Sequence, residues 1–328
     1  MTAPIAAPMT APIAAAALAP PGSPVRVGMF IPRAVMDEGA VVWREVLRAM
    51  ADTGIDHVGA SDHVSFHTGW GVDGIVQATA LAAAEPRLAV SLGVYLLPLR
   101  HPVLVARQLS TFATATHGRM EFGVGVGGED RHEVEICGVD PRTRGRRMDE
   151  SMTIIRALLN GETLDFEGEF FTFERARIVP APGKPIPMVV GGRSPAALRR
   201  AGRLGDGWLA AWTTASRFGE GIATVQAHAA DSGRAGLATR HGFQPWVGLG
   251  PDRDAARAAV AAPVEAMYQL PFERFERYSP YGTPQEIADF LQPYVHLGCT
   301  TFNLAPQTND WQRAVDGVAQ IRAILLAR

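Results

Sequence analysis

The chain is poor in cysteine and almost free of lysine. Its two cysteines, Cys137 and Cys299, stand 162 positions apart, which excludes a disulfide framework and a thiolate metal site. Lys184 is the one lysine and every other fixed cation is arginine, which reads as coding bias rather than function. Neither sign of charge is in excess. A formal net charge of −2 and a pI near 6.5 leave no global field to attract nucleic acid or anionic lipid. From Val25 onward no run approaches the roughly 18 charge-free apolar residues of a membrane span. A hydrophobic share of 47% is too high for a disordered polymer. What is left is a protein that binds small molecules in a reducing, aqueous compartment, the cytoplasm.

Residues 1–24 stand apart. They carry no charge, are mostly Ala and Pro, and nearly repeat themselves, the run Met1-Thr-Ala-Pro-Ile-Ala-Ala recurring from Met9. The first basic residue is Arg26, so the segment lacks the charged start of a signal peptide. Its prolines interrupt any helix of useful length. It is expected to be a disordered leader, or an over-extended start with the true one at Met9. A single domain is expected over 25–328.

Within that domain strand-like and helix-like runs alternate eight times. The strand candidates are 25–31, 56–61, 88–97, 119–126, 187–192, 207–212, 243–250 and 300–306, several of them continuous apolar runs of the kind buried on both faces. Helix starts are marked by Ser194-Pro195 and by the capping box Thr283-Pro-Gln-Glu286. Helix stops are marked by Gly54, Gly118, Gly161, Gly205 and Gly298. Eight βα units in this length predict an α/β fold, a TIM (β/α)8 barrel. Two stretches exceed the repeat. Residues 164–185 alternate like a hairpin between helix 4 and strand 5. Residues 251–282 follow strand 7 and carry Tyr268, Phe272, Phe275, Tyr278 and Tyr281; they form either a lid or substrate wall, or a helical extension on the barrel flank.

In such a barrel chemistry belongs where strands end. Strand 2 ends in Ser61-Asp62-His63-Val64-Ser65-Phe66-His67. His63 can carry a proton near neutral pH and Asp62 can orient or charge it. The His63/His67 spacing offers a metal no third ligand, so a cofactor-facing His63 or a structural pair remains. Strand 4 ends in a glycine run reaching Gly128, then Glu129 and, further on, Glu133. The match to a dinucleotide fingerprint is weak, since no helix opens directly behind the glycines. Glu129 is either an acid whose pKa burial raises or a solvated loop carboxylate. Strand 5 ends in Gly191-Gly192-Arg193-Ser194 before a capped helix, a ready anion site unless it is a plain glycine turn. Arg100 and His101 fall at the mouth after strand 3. Trp208 and Trp212 read as core or barrel wall.

Taken in order, several motifs resemble the luciferase-like flavin and deazaflavin oxidoreductases, the luciferase-like monooxygenase superfamily. They are Arg100-His-Pro102 with Gly118-Arg119, Gly123-Val-Gly-Val-Gly, Arg144-Gly-Arg-Arg-Met-Asp-Glu150, Phe166-Glu-Gly-Glu-Phe170, and Gly191-Gly-Arg-Ser-Pro-Ala-Ala197 leading to Gly205-Asp-Gly-Trp208. The resemblance runs from Val25 to Arg328 and implies a TIM barrel that binds coenzyme F420 or reduced FMN at its C-terminal mouth. It implies that Asp62 and His63 sit beside the reactive ring, with His63 near the hydride-transfer carbon. It implies that Gly127-Gly128-Glu129 supplies a proton-donating glutamate, that a non-prolyl cis peptide at Tyr95-Leu96 buttresses the ring, and that Gly191 and Gly192 hold the cofactor phosphate with Arg193 and Ser194. The sugar-phosphate dehydrogenases of the family carry a tryptophan soon after the histidine. Here Trp70 stands further on and no lysine-rich pocket is present, which argues against a phosphorylated sugar.

The resemblance favours an oxidoreductase that transfers hydride between F420 and a small, apolar organic substrate. The alternatives are an FMN- and O2-dependent monooxygenase fed by a separate flavin reductase, and a non-catalytic flavin-binding protein. A homodimer and an F420 or flavin reductase are the protein partners it implies.

Overall fold

Runs that are apolar on both faces pair in parallel, and here they close. The computed structural model describes residues 25–67, 69–128 and 130–327, the side chain of Ala34 excepted. The expected leader lies outside the described residues. The barrel strands are β1 (Arg26–Phe30), β2 (His57–Ala60), β3 (Ala89–Leu96), β4 (Met120–Gly125), β5 (Met188–Gly191) and β6 (Gly207–Ala210), followed by β7 in two parts (Gly242–Phe243 and Trp246–Leu249) and β8 (Thr301–Gln307). Each pairs in parallel with the next, and β8 returns to β1 with Val27 opposite Phe302. The fold is a TIM barrel, with all eight strands where the alternation of runs puts them. The break in β7 falls at Pro245, which has no N–H to donate to the ladder.

Eight helices cover the barrel: α1 (Ala40–Asp52), α2 (Gly74–Ala84), α3 (Pro102–Thr116), α4 (Arg144–Leu159), α5 (Pro195–Leu204), α6 (Ala215–Asp231), α7 (Pro284–His296) and α8 (Trp311–Leu326). Their ends follow the local chemistry. Ser194 Oγ accepts from Ala197 N, and Thr283 with Glu286 forms the full capping box. Gly54, Gly118, Gly161 and Gly298 take positive φ after their helices, whereas Gly205 keeps a φ of −87° and ends α5 in extended backbone.

Strand alternation sorts the side chains. Val27, Met29, Val58, Val90, Leu92, Phe122 and Val124 are buried under the helices in one continuous core. The opposite positions fill the barrel. His57 lies against Gly28, where any Cβ would strike the imidazole ring. His57 Nε2–H donates to Asn303 Oδ1 at 2.5 Å, and Asn303 Nδ2 donates to Ser91 Oγ at 2.9 Å. This chain ties β2, β8 and β3 together across the interior.

Residues 164–185 do form a hairpin, Leu164–Glu167 against Thr172–Ala176. The segment after β7 forms a helix, Arg253–Tyr268, and two single-turn segments whose buried residues Val260, Val264 and Phe272 pack beside Trp212 and Trp246. No helix of the described residues is long and apolar enough to cross a membrane.

Burial, with a push from Arg26, drives the His57 pKa down to about 3. The unfolded chain therefore takes up a proton near pH 6.5 that the folded chain refuses until far lower pH. Stability from this group is complete above about pH 6.5 and lost as pH falls toward 3. The expected slope is about 1.4 kcal/mol per pH unit. Urea denaturation at pH 7 and pH 5 measures it, and His57→Gln should reduce the difference, leaving the part owed to the buried His241, whose pKa burial lowers to about 4. An unchanged difference between the two proteins would contradict this account.

Candidate active site at the barrel mouth

The C-terminal rim is organised around a buried carboxylate. Asp62 is fully enclosed just past β2 and accepts from both terminal nitrogens of Arg100 at 2.8 Å, from Leu96 N at 2.8 Å and from Gly74 N at 2.9 Å. Burial raises its pKa, while Arg100 and the two amides pull the other way. Four donors occupy both oxygens, so Asp62 has no lone pair left for a ligand or for His63. The expectation that it faces the cofactor or orients His63 is corrected: it pins the ends of β2 and β3 to the start of α2. Arg100 is turned inward onto it and lies over the Tyr95 ring at 4.5 Å. His101 instead caps α3 through Val103 N.

His63 has a different carboxylate partner. A short helix, Arg131–Ile136, follows β4 and places Glu133 beneath the hairpin His63–Phe66/Trp70–Val72. Glu133 lies 3.1 Å from His63 Nδ1 and accepts from Val64 N at 2.7 Å and Ser65 N at 3.1 Å. A carboxylate at Nδ1 calls for a proton there, which leaves the neutral ring with its Nε2 lone pair free. The His63 side chain keeps 24% of its surface exposed, against 3% for Glu133, so the ring is reachable and its partner is not. The hairpin also returns Trp70 to within 6.0 Å of the His63 ring, with Phe66 at 4.3 Å. Neither Glu133 nor Trp70 could be assigned to His63 from spacing, because two separate loops bring them there. His67, on the same hairpin, turns outward to Asp130.

Glu129 lies outside the described residues. Its chain neighbours Gly127 and Gly128 have φ of 67° and 152°, conformations that suit glycine. Leu96 is buried behind Gly127, and Tyr95 is buried against Phe122. The Tyr95 ring packs against Phe122 and beneath Arg100, and the non-prolyl cis peptide is at Gly93–Val94, two residues before the expected Tyr95–Leu96. Gly93 and Val94 reach the barrel interior here, Gly93 facing Leu209 and Gln244 and Val94 facing Gly125 and Gly191. Val94 stands on a floor of glycine: a Cβ on Gly125 or Gly191 would come within 2.5 or 2.7 Å of its methyls.

At the end of β5, Gly192 has φ 109° and its carbonyl accepts from the buried Trp208 Nε1 at 2.6 Å. The amides of Arg193 and Ser194 find no partner among the described residues, while Gly192 N–H faces the Leu209 carbonyl at the end of the β5–β6 ladder. Gly192, Arg193 and Ser194 are exposed at the N-terminus of the ten-residue α5. Gly191, Gly192, Arg193 and Ser194 are thus brought together, on the opposite side of the glycine floor from His63. A separate groove of about 460 Å³, lined by residues such as Arg253, Glu276, Tyr281 and Glu286, lies beside the start of α7 and holds none of the expected site residues.

Residues 25–286 match the family model described as luciferase-like monooxygenase. A protein of Mycobacterium tuberculosis described as uncharacterized is 40% identical over 138 residues, 42% of this chain and 47% of its own length. An F420-dependent glucose-6-phosphate dehydrogenase of Nakamurella multipartita is 33% identical over 49% of each chain, and one of Microbacterium testaceum is 29% identical over 75% of this chain and 82% of its own. The match thus spans about half the length of the first of these relatives. Among solved structures, an F420-dependent secondary alcohol dehydrogenase with an F420-acetone adduct superposes with a TM-score of 0.79 at 20% identity, covering 91% of this chain and 98% of its own. The FMN-bound oxygenating constituent of 3,6-diketocamphane monooxygenase from Pseudomonas putida gives 0.73 at 15% identity, covering 92% and 98%.

Asp62→Asn should cost about 3–5 kcal/mol of stability, because it strands the Arg100 guanidinium against an uncharged partner. Urea unfolding of the purified variant tests this, and a loss below about 1 kcal/mol would be incompatible with the role assigned.

Proposed function

Because this chain belongs to the luciferase-like monooxygenase family, whose members are oxidoreductases, we propose that it exchanges hydride between coenzyme F420 and a small organic substrate at the barrel mouth. The observation that carries this reading is the reachable His63, held by Glu133, across a glycine floor from an anion-binding turn.

The residues present fit such a cofactor. Gly125 and Gly191 make room for the Val94 side chain, whose methyls a Cβ on either would strike, so Val94 offers the surface on which a planar ring would rest. The unpaired amides of Arg193 and Ser194, with the Arg193 charge and the α5 N-terminus, suit a phosphate. When bound, F420 supplies a ring carbon that gives or takes a hydride. Val94 and the hairpin would hold that ring, with Phe66 and Trp70 packed beside His63. His63 holds or accepts a proton at Nε2, with Glu133 fixing the ring's orientation through Nδ1. On the strength of the resemblance Glu129 is the second acid. The F420-dependent relatives support F420. Two unpaired thiols, Cys137 and the buried Cys299, suit the reducing cytoplasm.

A second reading, an oxygenase using reduced FMN from a separate reductase, draws support from the fold shared with the FMN-bound monooxygenase. The same turn would serve an FMN phosphate.

His63→Ala and Glu129→Gln should each lower kcat by roughly 10²–10⁴ while leaving the circular dichroism spectrum unchanged. Full turnover in both would remove these roles. Fluorescence titration of the apo-protein should show binding of F420 at micromolar concentration or tighter and weaker binding of FMN. The reverse order would turn the assignment to oxygen-consuming chemistry.

A further inference from the structure

Opposite His63 the mouth is walled by aromatic rings that no cofactor contact described above uses. In a closed sheet of eight strands β2 and β6 are four apart in either direction, so the residues just past them stand across the mouth from each other. Trp212 follows β6 by two residues. Trp246 lies three residues beyond Phe243, which is level with Ala210, the last residue of β6. Both indoles therefore rise above the last interior layer of the barrel. The insertion after β7 brings Tyr268 and Phe275 against them: Trp212 is 5.4 Å from Tyr268, 5.0 Å from Phe275 and 6.1 Å from Trp246, ring centre to ring centre.

Three further features set this cluster apart from ordinary core. All four rings are half-buried, unlike Trp208 or Phe218 below them. Trp212 holds a φ of 50°, a left-handed conformation that a bulky residue adopts only where its surroundings impose it. Neither the Trp212 nor the Trp246 indole N–H has a hydrogen-bond partner among the described residues, whereas the core Trp208 N–H is satisfied.

We propose that this wall selects the substrate, and that the substrate is a planar aromatic compound bearing a hydrogen-bond acceptor such as a carbonyl. Its face stacks on the Trp212–Phe275 side and its acceptor takes an indole N–H, which turns its other edge toward His63. An exposed aromatic face favours a flat π-system over an aliphatic body of equal size. Unpaired donors favour a ligand with an acceptor over a bare hydrocarbon. The inference rests on the mouth being the reaction site.

Calorimetric titration of the full chain, with and without oxidised F420, can compare 2-acetylnaphthalene with cyclohexyl methyl ketone. The naphthyl ketone should bind at least tenfold more tightly. Trp212→Leu should remove most of that preference, and Trp212→Phe, which keeps the ring and loses the donor, should weaken the naphthyl ketone several-fold. F420 affinity should stay within twofold of the parent in both variants. Equal affinity for the two ketones, or a preference untouched by both substitutions, would overturn the proposal. So would a large loss of F420 affinity, which would assign the wall to the cofactor. Failure of the parent protein to bind F420 at all would count against the hydride-transfer reading while leaving the ketone comparison to judge the wall.

Discussion

The mouth of this barrel depends on one buried ion pair. Asp62 and Arg100 join the ends of two neighbouring strands and the start of a helix, and Asp62 has no solvent of its own. An ion pair so enclosed is costly to form and more costly to break by halves. Its consequence is geometric. With Asp62 held inward, the next residue, His63, begins a hairpin that projects over the mouth. With Leu96 N tied to the same carboxylate, the end of β3 is set so that Gly93 and Val94 face the interior. His63 and the glycine-bordered Val94 are thus registered to each other through Asp62.

A second layer of control comes from Glu133. It meets two backbone amides of the hairpin as well as the His63 ring, so the loop after β4 and the loop after β2 are fastened at the place where the imidazole must be aimed. Catalytic groups on loops keep their geometry only when such supporting contacts lock them. Glycine does the complementary work on the other side, where Gly125 and Gly191 make room for the Val94 side chain. Family membership and this arrangement agree on an oxidoreductase.

Much of this was legible in the order of residues. Eight alternating runs suffice for a barrel, because strands buried on both faces and amphipathic helices each carry a local period. Caps at Ser194 and Thr283 and the stops at Gly54, Gly118, Gly161 and Gly298 act within a few residues, so local reading finds them. Gly191 to Ser194 could be read as a strand end running into a capped helix for the same reason: its glycines, hydroxyl and helix start are contiguous.

What sequence could not determine was which carboxylate meets which cation or ring. Asp62 adjoins His63 in the chain, yet neighbouring residues on extended backbone point to opposite sides, and Asp62 turned to Arg100. Glu133 is 70 positions from His63 and reached it only through the packing of two loops. Trp70, set apart by spacing, was returned by an antiparallel hairpin. The cis peptide fell at Gly93–Val94, and the Tyr95 ring packs against Phe122. The fold was written in periodicity, which is local. The partners at the site were decided by tertiary structure, because side-chain direction and loop packing depend on contacts that sequence distance does not encode.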